Sequence, residues 1–178
     1  MSMLEQFRLM ARYNAWINAR LYQSAGKLSA AELALERGAF FGSILGTLNH
    51  IVVGDTIWLS RFATHPARHA ALDPIRQAGI PVALNQIVHA DIESLHRQRV
   101  KLDLIIELWV GELSEADFDH TLHYRNMKGD AGARNFAALL LHFFNHQTHH
   151  RGQATTLLMQ AGQDVGVTDL LALVPDEL

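Results

Sequence analysis

The sequence predicts an all-α fold, a single four-helix-bundle domain over residues 1–178 with a long crossover between helices two and three. Three observations predict it. Apolar residues recur at helical spacing through four long stretches. Three of the four prolines, Pro66, Pro74 and Pro81, crowd into one connection, where they interrupt helix. A chain of 178 residues, 49% hydrophobic and 19% charged, is large enough for one core.

The first long helix is expected over about residues 3–26, ending near Gly26, after which Ser29-Ala-Ala-Glu32 has the pattern of a capping box for a short helical turn. The second long helix is expected from Ser43 to about Phe62, carrying His50, Asp55 and Trp58. It is apolar nearly all round, which predicts burial on two sides, by its own bundle and by a partner subunit. The connection over roughly residues 64–84 leads to a third helix from about Leu84 to Leu113. Its charged run, Asp91 to Asp103, reads as a solvated face. Residues 117–133, with Tyr124, Asn126, Gly129 and Gly132, suggest an irregular loop or small hairpin. The fourth helix is expected from about Arg134 to Ala161, with Gly162 as its stop and one further turn around Thr168 to Leu173. Trp16, Trp58 and Trp109 fall at helical positions and are expected in the core or at an interface.

Composition narrows the chemistry. Net charge is −3 with neutral histidines, so no basic surface is offered to nucleic acid or acidic lipid. There is no cysteine, which removes disulfides and thiolate ligands and leaves only nitrogen and oxygen donors for a metal. Glu5 and Arg8 break up the apolar residues of the N-terminus, unlike a secretory signal, and no run of about 18 apolar residues could span a membrane. A soluble cytoplasmic protein is the expectation.

The strongest functional signal is a cluster of histidines, His142, His146, His149 and His150, in the fourth helix. Histidines four apart lie one above the other on a helix, so their imidazoles can share one metal ion. At 100° per residue, His146 and His150 turn most toward the apolar arc of Phe136, Leu139, Leu140, Phe143, Leu157 and Leu158; His142 and His149 lie nearer the rim. Gln147 follows His146 where a zinc protease would carry its glutamate, so no general base is offered there. Most sites need a third ligand from elsewhere. His50, Asp55, His65, His69, His89, His96, His120 and His123 are all candidates, and spacing alone does not choose among them.

Three segments together resemble a known family. Tyr13-Asn-Ala-Trp-Ile-Asn-Ala-Arg-Leu21, Leu48-Asn-His-Ile-Val-Val-Gly-Asp-Thr-Ile-Trp-Leu59 and His142-Phe-Phe-Asn-His-Gln-Thr-His-His-Arg-Gly-Gln153 are similar to the signatures of the DinB-like (damage-inducible) family of four-helix metal proteins, unrelated to the DNA polymerase of that name. The resemblance implies a divalent metal, nickel or zinc, on His50, His146 and His150. His50 rests on the resemblance; the other two also rest on the helical wheel. It further implies a homodimer. Relatives transfer small-molecule thiols, isomerise maleylpyruvate with a thiol cofactor or hydrolyse small substrates, and many have no known activity.

Three imidazoles leave a coordination position open, as in catalytic rather than closed sites. This supports a metal-dependent enzyme acting on a small molecule, by thiol transfer with a low-molecular-weight thiol or by hydrolysis. A non-catalytic, stress-related metal-binding protein is the alternative, and a structural dimer with packing histidines is a third. Around the ligands, Asp55 either orients an imidazole or is a buried partner for an arginine or a helix end, and Gln153 either lines the site or packs. His142 either donates a hydrogen bond behind the ligands or lies partly exposed. Arg151 points away from the site, toward a structural salt bridge or an interface, and Gly152 is expected to permit close helix approach.

Overall fold

The computed structural model describes residues 1–176. The long helices are α1 (Met3–Ala25), α3 (Ile44–Phe62), α5 (Ile92–Glu112) and α6 (Phe136–Gln160), with short helices α2 (Ala30–Ala34) and α4 (Asp73–Gln77) between them. A two-stranded antiparallel hairpin, β1 (Thr121–Arg125) and β2 (Ala131–Asn135), precedes α6. Each long helix starts on a side chain that accepts a free first-turn N–H: Ser2, Ser43, Asp91 and Asn135. The expected capping box of Ser29 and Glu32 starts α2, and Gly162, at φ +77, follows the end of α6.

Side-chain pairs give the directions. Phe62 meets Phe136 while His50 meets His150, so α3 and α6 are antiparallel. Asp55 meets Arg99 and Phe62 meets Trp109, so α3 and α5 are parallel. Phe7 meets Phe144 and Asn14 meets Arg151, so α1 and α6 are parallel. Parallel neighbours need a connection that returns the length of the bundle, and residues 63–91 supply it. Leu72 and Ile75 anchor that crossover in the core. Asn49 of α3 grips its far end, accepting from the N–H groups of Val88 (2.8 Å) and His89 (3.1 Å) and donating to the His89 carbonyl (3.0 Å).

The third long helix therefore begins at Ile92, not near Leu84, because residues 84–89 turn and bend while tied to α3 through the Leu84 carbonyl and the Val88 N–H, and Asp91 caps the helix. The core centres on Phe62, with Trp109 stacked on it at 5.0 Å and Phe136 and Phe143 edge-on at 5.5 and 5.6 Å. Trp109 is wholly buried; Trp16 and Trp58 are half-buried against the core. α3 is buried on nearly every side within its own chain, without a partner subunit.

One polar layer crosses this core. The Asp55 carboxylate accepts from Arg99 Nη1 and from Gln147 Nε2 (2.9 Å). Arg99 Nη2 lies 3.0 Å from Asp103 Oδ1, which also accepts from Asn14 (2.8 Å) and Asn18 (2.9 Å). Arg151 donates to Asn14 Oδ1, with its guanidinium over the Tyr13 ring. Two carboxylates and two guanidiniums balance, and all the long helices contribute. This corrects the reading of the Asp91–Asp103 run as a solvated face, since Arg99 and Asp103 are buried. Arg151 is structural, as expected, but its direct partner is Asn14 rather than a carboxylate.

Candidate metal centre

Beside that layer, with His146 and His150 directly preceding its Gln147 and Arg151, α3 and α6 bring three imidazoles together. The antiparallel register sets His50, Gly54 and Trp58 opposite His150, His146 and His142. His50 Nε2 lies 3.3 Å from His146 Nε2 and 3.1 Å from His150 Nε2. Two ligands of one tetrahedral ion, each bound at about 2.1 Å, stand roughly 3.4 Å apart. The His50 nitrogen has that spacing to each of the other two, all three lie within 4.8 Å of one another, and this group can hold a metal. Gly54 makes the approach possible: a Cβ there would stand 2.8 Å from His146 Cε1.

The outer nitrogens decide the tautomers. His50 Nδ1 lies 2.8 Å from the Leu84 carbonyl, an acceptor only, so Nδ1 carries the proton and Nε2 a lone pair. His150 Nδ1 lies 2.8 Å from Gln153 Oε1 and is set in the same way. The inner nitrogens of His50 and His150 thus point lone pair at lone pair, an arrangement that a cation between them relieves. Such outer hydrogen bonds commonly fix a metal-bound imidazole.

Burial keeps the cluster neutral. Desolvation pulls the His50 pKa down to about 4, against the Leu84 hydrogen bond and helped by the neighbouring His150. It pulls His146 down to about 3, with His150, His50, His142 and His149 adding to the effect, and it lowers His150 too. Neutral imidazole is the ligand form, so protons do not compete near neutral pH.

The wheel order holds. His150 is buried, His146 half-buried, and His142 and His149 exposed. Gln153 reaches the cluster through His150. His142 takes the exposed alternative, its ring edge-on to Trp58 at 5.0 Å. Asp55 takes the arginine alternative: its bonds run to Arg99 and Gln147, and none joins it to the three histidines. Gly152 faces open space, so the close helix approach belongs to Gly54 instead.

The remaining candidates for a third ligand go elsewhere. His65 and His69 gather with Asp117 in a second group that can hold a metal, with the His120 ring edge-on to His65 at 4.5 Å. His96 stacks on Tyr22, the backbone of His89 is tied to Asn49, and His123 pairs with Ala133 in the hairpin.

Sequence reasoning missed three contributors to the centre: Gly54, the Leu84 carbonyl and Phe41. The Phe41 ring stacks on His50 at 3.7 Å and roofs the cluster. Its loop fits because Gly46 has no side chain; a Cβ there would fall 2.1 Å from the Phe41 carbonyl oxygen. A glycine within the apolar run of α3 was the one available signal.

Among the described residues, no helix is long and apolar enough to cross a membrane. No solved structure matches the chain. The protein DinB of Bacillus subtilis (strain 168) is 25% identical over 158 residues, covering 88% of this chain and 87% of that protein. The DinB family matches residues 3–176, nearly the whole chain, and the chain belongs to that family.

Proposed function

We propose that the protein binds one divalent metal ion, nickel or zinc, through the Nε2 atoms of His50, His146 and His150, and acts as a metal-dependent enzyme on a small molecule. The observation that carries the metal is the meeting of two inner lone pairs, on His50 and His150, whose outer nitrogens are committed to Leu84 and Gln153. Three nitrogen donors suit borderline divalent ions, and three ligands leave a position for water, a low-molecular-weight thiol or substrate. A metal there supplies an acidified water or thiol and polarises a substrate group, the chemistry of thiol transfer or hydrolysis. The protein's own part is to hold the imidazoles neutral and oriented, with Phe41 shielding one side.

A second reading, a stress-related metal-binding protein without catalysis, is favoured by one observation. Asp55, the carboxylate nearest in sequence to a proposed ligand on α3, is engaged by Arg99 and Gln147. The proposed homodimer is supported by an exposed apolar stripe on α5, Val100, Leu104 and Leu108, each more than half exposed.

Elemental mass spectrometry of untagged, chelator-free protein beside His146→Ala tests the metal. One divalent ion lost in the variant supports the reading; equal metal in both contradicts it. Thiol-dependent and hydrolytic substrate screens on loaded and stripped protein then separate the two readings: turnover that follows the metal supports the enzyme, and its absence supports the binding protein.

A further inference from the structure

At the other end of α3 lies a second cluster that the first site does not use. His65 and His69 sit in the crossover just beyond α3, and Asp117 in the turn before the hairpin. All three are buried, at 3%, 7% and 8% exposure. By helix rise, His65 is on the order of 20 Å from His50 along the bundle axis.

The donors and acceptors here do not match. Asp117 spends Oδ2 on Ser114, accepting from its N–H (2.7 Å) and its hydroxyl (2.9 Å). Its other oxygen, Oδ1, faces His65 Nδ1 and His69 Nε2 at 3.7 Å each, too far for a hydrogen bond. His69 Nε2 is buried without a hydrogen-bond partner. His65 Nδ1 receives the Ala67 N–H at 3.2 Å, so it presents a lone pair rather than a proton. Three potential ligand atoms thus lie within 4.8 Å of one another, and the two separations from Asp117 Oδ1 are a few tenths of an ångström wider than the roughly 3.4 Å edge of a tetrahedral ion. Arg68, between the two histidines, is held at φ 51, a left-handed conformation costly for a non-glycine residue. That bend belongs to the non-helical segment that brings both rings to one carboxylate, stacked at 5.4 Å. A cleft of about 560 Å³, lined by His65 with Thr64, Arg68 and Arg76, opens beside the cluster.

We propose that His65, His69 and Asp117 form a second, independent site for a divalent transition-metal ion of the zinc class, with a coordination position open toward this cleft. Two imidazoles and a carboxylate are donors that such ions accept. The ion replaces the long Ala67 contact at His65, gives His69 Nε2 the partner it lacks and bonds Asp117 Oδ1 directly.

Zinc titration of the full chain against a chromophoric chelator tests it, comparing wild type with Asp117→Asn and His69→Gln, each checked for fold by circular dichroism. Asp117→Asn keeps an oxygen for Ser114 and turns an amide NH2 toward the histidines, so it removes the ligand and spares the turn. Each variant is expected to bind one ion fewer per chain than wild type, or the same ion at least tenfold more weakly. The same loss is expected in a His146→Ala background, where the first centre is already removed. Capacity and affinity equal to the parent in both variants would overturn the proposal. Because the comparison is repeated without His146, failure of the first site leaves this test intact.

Discussion

Two polar arrangements lie side by side in the same bundle, interleaved along α6, and they are built on opposite terms. In the Asp55–Arg99–Asp103–Arg151 layer, donors face acceptors and the charges sum to zero, although Asp55 Oδ1, Arg99 Nε and Gln147 Oε1 have no hydrogen-bond partner and Arg99 Nη2 meets Asp103 as an ion pair. In the His50–His146–His150 cluster, the inner acceptors of His50 and His150 meet, their outer protons tied to Leu84 and Gln153, while the outer nitrogen of His146 is buried without a partner. Burial alone does not distinguish them. The matching of donors to acceptors does: the matched layer is a tie between helices, and the mismatched one calls for a cation.

The largest effect should come from breaking the tie. Asp55→Ala leaves Arg99 buried beside one carboxylate instead of two and should cost about 3–5 kcal/mol in denaturant unfolding. A loss below about 1 kcal/mol would mean that the layer is not a tie. His146→Ala should do the reverse: in an Asp117→Asn background, where the second site is removed, it should abolish the rise in melting temperature that nickel or zinc gives the parent while shifting metal-free stability by only about 1 kcal/mol. If the double variant still gains as much stability from metal as Asp117→Asn alone, His146 is not a ligand.

Smaller changes sharpen the contrast. Gln153→Ala frees the outer nitrogen of His150 and should weaken metal binding about 10–100-fold without unfolding the protein. Unchanged affinity in a chelator competition would detach Gln153 from the centre. Gly54→Ala sets a methyl against the His146 ring; overpacking of about 1–3 kcal/mol is partly offset by about 0.5–1 kcal/mol of helix preference, so affinity should fall more visibly than stability.

The mildest effect is on pH. Unfolded histidines protonate near pH 6.5, whereas His50 and His146 resist until about 4 and about 3. Below pH 6.5 the unfolded chain binds more protons, so metal-free stability is greatest above that value and falls as pH drops toward 4. Melting temperatures measured in chelator at pH 7.5 and 5 should differ by less in His146→Ala than in the wild type; an equal difference would contradict the assigned burial effect.

How much of this the sequence carried depends on how local each signal was. The long helices and the inward turn of His146 and His150 follow from helical periodicity, which a single stretch of chain records. His50 came only through family resemblance, because the wheel of an apolar-all-round helix prefers no face. Arg99 and Asp103 were hidden in a charged run whose ordinary meaning is solvent exposure; only a buried Asp55 across the bundle makes them internal. Leu84 was read as the start of a helix, since a backbone carbonyl that tethers an imidazole has no side-chain signature. His65 and His69 lie in a connection without periodicity, and their meeting with Asp117 is set by tertiary packing rather than spacing.

The most direct test of the central claim is an anomalous difference map from crystals of the zinc- or nickel-loaded protein, collected at the metal edge. A peak at about 2.0–2.1 Å from the Nε2 atoms of His50, His146 and His150 is the predicted result. A loaded crystal with no peak among those three nitrogens would contradict it.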